Sequence, residues 1–250
     1  SWASRGLGDV YKRQVERMKV KPMADITVGD IKKITKGKLL CGNEYDICEN
    51  FCIDSREIKS GDVFVGIKGE GVNGNELYEE VLKKGAKCLI LENVEIPEDI
   101  IKKFTDSAII IVEDTIKALQ QIAEYKRNLY KIPVIAITGS VGKTSTKDIV
   151  AEVVSKKYKV LKTQGNLNNH IGLPLTILSL KDEEAMVVEL GMSHLGEIST
   201  LTKIAKPTIA IITNVGTAHI GNLGSRENIL KAKMEIIEAV SYTHLRAHET

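Results

Sequence analysis

Aromatic residues are scarce in this sequence, at 4% of 250 residues against 43% hydrophobic residues in all. A folded interior must therefore be built from Ile, Val, Leu and Ala. Long apolar runs are also lacking. The longest, such as 109–112 and 134–137, fall far short of the roughly 18 residues that suggest a membrane span. Cysteines number only four, at 41, 48, 52 and 88. That is too few for a disulfide-dense secreted module, and the Cys48–Cys52 spacing has no second pair and no nearby His to make a zinc site. The thiols read as reduced, in a cytoplasmic protein without a signal peptide. Charge of one sign is missing too: 35 Lys and Arg face 33 Asp and Glu, for a net charge of +2. Over 15–240 the two signs cancel, which leaves no electrostatic case for nucleic acid or an acidic membrane surface.

Residues 1–14 and 241–250 do not match the rest. They hold the only Trp and two of the five His, and they show no apolar periodicity. Both read as non-native, adapter-derived tails and are set aside; Met18 and Met23 are candidate starts.

What remains is an alternation of short apolar runs and amphipathic stretches, the pattern of an α/β fold with parallel sheets. Strands are expected at 51–53, 63–67, 88–91 and 108–112, with a polar amphipathic stretch at 75–84. Asp114 is placed to cap a helix whose stripe is Ile116, Leu119, Ile122, Ala123 and Leu129. A boundary near residue 131 separates this first unit (18–130) from a second (131–240). In the second, strands are expected at 134–138, 158–161, 185–190 and 208–213. Helices follow the first of these, with Ile149, Val150, Val153 and Val154 on one side, and fill 198–205 and 225–239.

The sharpest motif is 138–145, Thr-Gly-Ser-Val-Gly-Lys-Thr-Ser, between an expected strand and an expected helix. Glycines allow the backbone to turn its N–H groups toward phosphate oxygens, and the helix start adds its positive dipole end. Gly139, Ser140, Val141, Gly142, Lys143, Thr144 and Ser145 thus form a candidate ATP-binding loop. Lys143 is placed to reach the β- and γ-phosphates and Thr144 to supply a hydroxyl to Mg²⁺. The match to the P-loop pattern is partial, because Ala136 stands where the pattern wants Gly. Glu189 ends an expected strand at the edge where α/β sheets bind ligands, and its carboxylate suits a hard cation.

The loop also has the form found in the Mur ligases, ATP-dependent enzymes that build the peptide of bacterial cell-wall precursors. Further strings resemble that family in order and spacing: 163–174 (TQGNLNNHIGLP), 189–198 (ELGMSHLGEI), 213–219 (TNVGTAH) and 231–233 (KAK). In the first unit, 54–56 (DSR) and 61–69 (GDVFVGIKG) resemble its UDP-sugar-binding domain. Where the family often has Asp-Gly-His, this chain has Asn73-Gly74-Asn75, a departure in the loop at the uracil end.

The resemblance implies a small amino-terminal α/β UDP-sugar-binding domain followed by a parallel-sheet, P-loop ATPase-type central domain that is incomplete. A third domain would lie beyond the sequence, and the piece is expected to be inactive by itself. The 189–198 string is similar to the member that adds D-alanyl-D-alanine. The implied activity is ATP-dependent amide-bond formation between UDP-N-acetylmuramoyl-tripeptide and D-alanyl-D-alanine through an acyl phosphate, by a monomer that uses Mg²⁺. Residue by residue, the resemblance gives Ser55 and Arg56 to the UDP-sugar, and Glu189 and His219 to metal ions. Lys233 would be a carbamate that also holds metal, by its distance from His219, with Lys231 the competing candidate. Asn168 and Asn169 are candidates for nucleotide or substrate, or plain turn formers; His170 and His194 are structural or at the substrate's edge. Another Mur ligase, a related amide synthetase, or an ATP-binding module without ligase chemistry remain alternatives.

Overall fold

The computed structural model describes residues 25–218 and 220–240. The two expected tails, the candidate starts Met18 and Met23, and His219 lie outside the described residues.

The described chain begins with β1 (Ile26–Thr27) and α1 (Val28–Thr35). Thr27 and Asp30 close a reciprocal capping box, with Asp30 N–H donating to Thr27 Oγ1 and Thr27 N–H to Asp30 Oδ2. β2 (Lys38–Cys41), β3 (Ile47–Cys48), β4 (Phe51–Cys52) and β5 (Val63–Val65) follow. After a 3₁₀ turn at Gly74–Leu77 come α2 (Tyr78–Lys83), β6 (Cys88–Glu92), α3 (Glu98–Lys103), β7 (Ala108–Val112) and α4 (Thr115–Leu129). The five-stranded sheet runs β2-β7-β6-β5-β4 and is parallel except for β2. β1 and β3 pair separately, antiparallel.

The second sheet is wholly parallel. It is built from β8 (Val134–Thr138), β9 (Val160–Lys162), β10 (Ala185–Glu189) and β11 (Ile209–Ile212), in the order β11-β8-β10-β9. Its helices are α5 (Lys143–Ser155), α6 (Gly172–Leu178), α7 (Glu197–Ala205), α8 (Ile220–Leu223) and α9 (Arg226–Met234). A 3₁₀ turn, Glu235–Ile237, continues α9, so the helix expected over 225–239 changes pitch before its end. None of the described helices is long and apolar enough to cross a membrane.

Period-two alternation sorts the first sheet's strands onto two cores. Phe64, Leu89, Leu91 and Ile109 face Val81, Leu82 and Ile100 on one side. Val63, Val65, Cys88, Ile90, Ala108 and Ile110 face the other, where they join a cluster that runs on through α4 into the second unit as far as Ile236. One continuous interior therefore underlies both sheets, and α4 packs on α1 of the first unit and on α6 and α7 of the second.

The buried face of α4 is Thr115, Ala118, Leu119, Ile122, Ala123, Lys126 and Arg127, a regular three-and-four spacing in which two cations take the last places. Lys126 Nζ donates to the carbonyl of Leu178, the last residue of α6, at 2.7 Å. Arg127 Nε donates to the carbonyl of Ala205, the last residue of α7, at 2.7 Å, and its other nitrogens reach the carbonyls of Tyr130, Ile132 and Lys206. These cations satisfy orphan carbonyls at two helix ends and complement their negative dipole ends. Burial lowers the pKa of Lys126 to about 8, a shift helped by nearby Lys181.

The apolar stripe expected on α5 is only partly buried. Val150 and Val154 are half-buried, Val150 against the core, but Ile149 and Val153 face solvent, and Lys147 and Ala151 are the buried residues. The reason lies at the helix start: Lys143 and Thr144 must meet the loop and β10, and that fixes the rotation of everything after them.

Candidate functional site

β8 and β10 are neighbours in register, with Glu189 opposite Ile137. The loop after β8 and the carboxyl end of β10 thus open side by side at the same edge of the sheet, where parallel sheets place their ligands.

The loop from Gly139 to Gly142 is shaped by its neighbours. A Cβ at Gly139 would fall 1.9 Å from Thr213 Oγ1, so no larger residue fits there. Gly142 takes the left-handed conformation, φ 79°, immediately before α5. Asn214 steadies the turn: its Oδ1 accepts from the N–H groups of Ser140 and Val141, both at 3.1 Å. Ser140 Oγ in turn accepts from Gly216 N–H at 2.9 Å. Asn214 sits in the quoted 213–219 string but was not among the candidates; it is recognisable only once β11 is known to lie beside β8. Lys143 folds back, Nζ donating to Gly139 O at 3.1 Å.

The structure brings Thr144 and Glu189 together, across 45 residues. Thr144 Oγ1 donates to Glu189 Oε2 at 2.9 Å. The other oxygen, Oε1, accepts from Asn168 Nδ2 at 2.8 Å. Glu189 is buried, and both oxygens are oriented. Asn168 is held in turn by Gly191, whose N–H donates to Asn168 O at 2.8 Å. A Cβ at Gly191 would press on the Asn168 amide at 2.9–3.2 Å. Asn169 does something else: its Oδ1 accepts from the N–H groups of Ile171 and Gly172 and starts α6.

Lys233, on α9, is buried at 1% exposure, whereas Lys231 is exposed. Its pKa is lowered to about 8, first by burial and then by the positive charge of Lys143. Lys143 is thus close enough for its charge to oppose that of Lys233. His170 lines a cavity of about 880 Å³ together with Gln120, Lys143, Asn168, Asn169 and Ser193. Gln120, from α4, was not anticipated; its Nε2 donates to His170 O at 3.0 Å and ties the first unit to the rim. His194 turns to Glu197, 3.2 Å away.

Ser55 and Arg56 stand apart from this group, between β4 and β5. Ser55 is buried and its carbonyl accepts from Lys84 Nζ at 2.7 Å. Arg56 is exposed, and its fork is engaged by Asp54 through Nε and Nη2. The Arg56 hydrogen bond holds the Asp54 carboxyl down to about 2. The four cysteines are free thiols. Among the described residues no three His, Cys, Asp or Glu side chains gather as a ready-made metal cluster. Thr144 and Glu189 offer an all-oxygen pair instead, which fits a Mg²⁺ that takes its other ligands from phosphate and water.

Known proteins resemble the chain along most of its length. Residues 137–245 match the Mur ligase middle domain, and residues 49–127 match the Mur ligase family, catalytic domain. The chain belongs to the Mur ligase family. It is 39% identical over 188 residues to UDP-N-acetylmuramoyl-tripeptide–D-alanyl-D-alanine ligase of Bacillus subtilis (strain 168), covering 74% of this chain and 40% of that relative. With the Synechocystis sp. enzyme of the same name it shares 44% over 164 residues, 65% of this chain and 35% of the relative. Among solved structures it is similar to MurF from Acinetobacter baumannii, with TM-score 0.76 and 34% identity over 88% of this chain and 48% of that one. It is also similar to MurF ligase from Thermotoga maritima in complex with ADP, with TM-score 0.70 and 39% identity over 77% and 44%. The chain thus spans about two fifths or less of the length of these two curated relatives. The Mur ligase α/β fold, with its parallel sheets, is the one expected from the strings.

Proposed function

We propose that this chain carries the substrate-binding and nucleotide-binding parts of a ligase that joins D-alanyl-D-alanine to UDP-N-acetylmuramoyl-tripeptide, with ATP, in cytoplasmic peptidoglycan precursor synthesis. In this reading 18–130 binds the UDP-sugar, with Ser55 and Arg56 in contact with it, and 131–240 binds ATP. The observation that carries it is the buried Glu189 carboxylate, held by Thr144 on one oxygen and Asn168 on the other, beside the Lys143–Lys233 pair.

The loop N–H groups and Lys143 cradle the triphosphate, and Lys143 neutralises charge on the phosphoryl group in transfer. Thr144 and Glu189 would hold Mg²⁺, with His219 completing the metal-binding set; the cation supplies charge neutralisation between the phosphates. A pKa near 8 gives Lys233 a neutral fraction at ordinary pH. Its free amine can attack CO₂, forming an N–C bond and releasing a proton, so that a cation becomes an anion able to face metal. A carboxylate oxygen of the tripeptide attacks the γ-phosphorus and ADP leaves. The amine of D-alanyl-D-alanine then attacks the acyl carbon, expelling phosphate and losing a proton to solvent. The cavity rimmed by Gln120, Asn168, Asn169 and His170 offers the space in which these groups can be aligned.

Melting temperatures recorded with Mg²⁺–ATP and with UDP-N-acetylmuramoyl-tripeptide, added separately, test this. Each ligand should raise the melting temperature, by the equivalent of about 2.7 kcal/mol at a hundredfold excess over its Kd. Stabilisation by ATP alone would remove the substrate assignment.

A further inference from the structure

Lys147 is a buried cation that the reaction above does not use. It lies on α5, four residues past Lys143 and three past Thr144, and is 3% exposed. Its Nζ donates to the carbonyl of Thr163 at 3.0 Å and stands 3.5 Å from Asp148 Oδ1. Asp148 also receives Lys162 Nζ at 2.7 Å, so α5 is bound to the end of β9 by both charges.

Thr163 is where these contacts lead. It follows β9 directly, is wholly buried, and its N–H donates to Val187 O. Its hydroxyl accepts from the N–H of Glu189 at 3.0 Å. It also begins the loop that ends at Asn168, whose amide holds Glu189 Oε1. The paired register of β9 with β10 stops at Lys162, so the Thr163 carbonyl has no ladder partner and depends on Lys147. Residues three apart share a helix face. One face of α5 therefore grips Glu189 twice, at its carboxylate through Thr144 and at its peptide through Lys147 and Thr163.

We infer that Lys147 is a positioning residue for Glu189: it fixes Thr163, and through Thr163 both the backbone of Glu189 and the root of the Asn168 loop. The inference rests on the reading of Glu189 as a cation ligand beside bound nucleotide. Supports one step removed from a metal commonly change its affinity ten- to a hundredfold when lost.

The test is a titration of Mg²⁺ against binding of a fluorescent ATP analogue to the whole chain, with melting temperature recorded in parallel. In Lys147→Met the Mg²⁺ concentration for half-maximal binding should rise about tenfold, while analogue affinity in EDTA stays as in the wild type. Thr163→Val, of equal shape but without the hydroxyl, should shift it in the same direction. A lowered melting temperature with unchanged Mg²⁺ half-saturation in both variants would overturn the inference, since Lys147 would then only fasten helix to strand. Should Lys147→Met fail to fold, Thr163→Val decides by the same criterion. A wild-type chain that binds no nucleotide with Mg²⁺ would overturn the proposed function and this inference together; unchanged half-saturation in the variants overturns the inference alone.

Discussion

Two buried lysines, Lys126 on the last helix of the first unit and Lys233 on α9 of the second, are treated by the fold in opposite ways. Lys126, at the end of α4, is given a helix-end carbonyl at 2.7 Å, next to Arg127, which takes four more. Lys233, by the nucleotide loop, has its pKa lowered by burial and by the like charge of Lys143, and no acceptor stands against it among the described residues. Both pKa values fall to about 8, yet among the described residues only Lys126 has an acceptor to justify its place. A buried polar group that the fold satisfies belongs to the scaffold; one held under repulsion is placed for something that arrives later.

The contrast can be broken most forcefully at Arg127. Arg127→Met strands the carbonyls of Ala205 and its neighbours and should lower unfolding free energy by about 3 kcal/mol in urea titrations. A loss under about 1 kcal/mol would mean that water replaces the guanidinium and that the scaffold role is wrong. Lys233→Met should do the reverse, raising the stability of the ligand-free chain by about 2 kcal/mol at pH 7, because a desolvated cation under the like charge of Lys143 is replaced by an apolar side chain of similar length. Destabilisation would reveal a partner for Lys233 and erase the contrast. The finest distinction comes from pH. Lys126 keeps its proton to about pH 8 when folded, and to near its ordinary 10.5 when unfolded. Between those values the unfolded chain binds more protons, so stability rises with pH. Urea unfolding of wild type and Lys126→Met should diverge by about 1 kcal/mol between pH 8 and pH 9, with the wild type gaining. Parallel curves would mean that the Leu178 carbonyl holds the lysine charged throughout.

The same contrast explains what could be read from sequence. Strands at Ala108–Val112 and Val134–Thr138, and the Asp114 cap, follow from local pattern and stand where expected. Glu189 was placed correctly at a strand end, and its bond to Thr144 is the meeting of two carboxyl-end features of adjacent strands. Lys126 and Arg127 fall on the α4 stripe at the right spacing, but charge argues for solvent, and only the helix ends supplied by distant residues reverse that. Lys147 was hidden for the same reason, and Ile149 and Val153 were misjudged in consequence. The Thr27–Asp30 box was a legible local signal for α1, though not one singled out. Antiparallel β2 was not legible, because its partner β7 lies some 70 residues on.

The reach of Arg127 also has a history in time. Its partners at Ala205 and Lys206 lie 78 and 79 residues further along the chain. At about 5–20 residues per second, a ribosome delivers them roughly 4–16 s after the arginine itself. Until those residues arrive, Arg127 lacks its acceptors at Ala205 and Lys206 and only water can take that place. The amino-terminal half is therefore born waiting. Its arginine gains those acceptors only when the last turn of α7 has been made, and the shared interior closes later still, with Ile236.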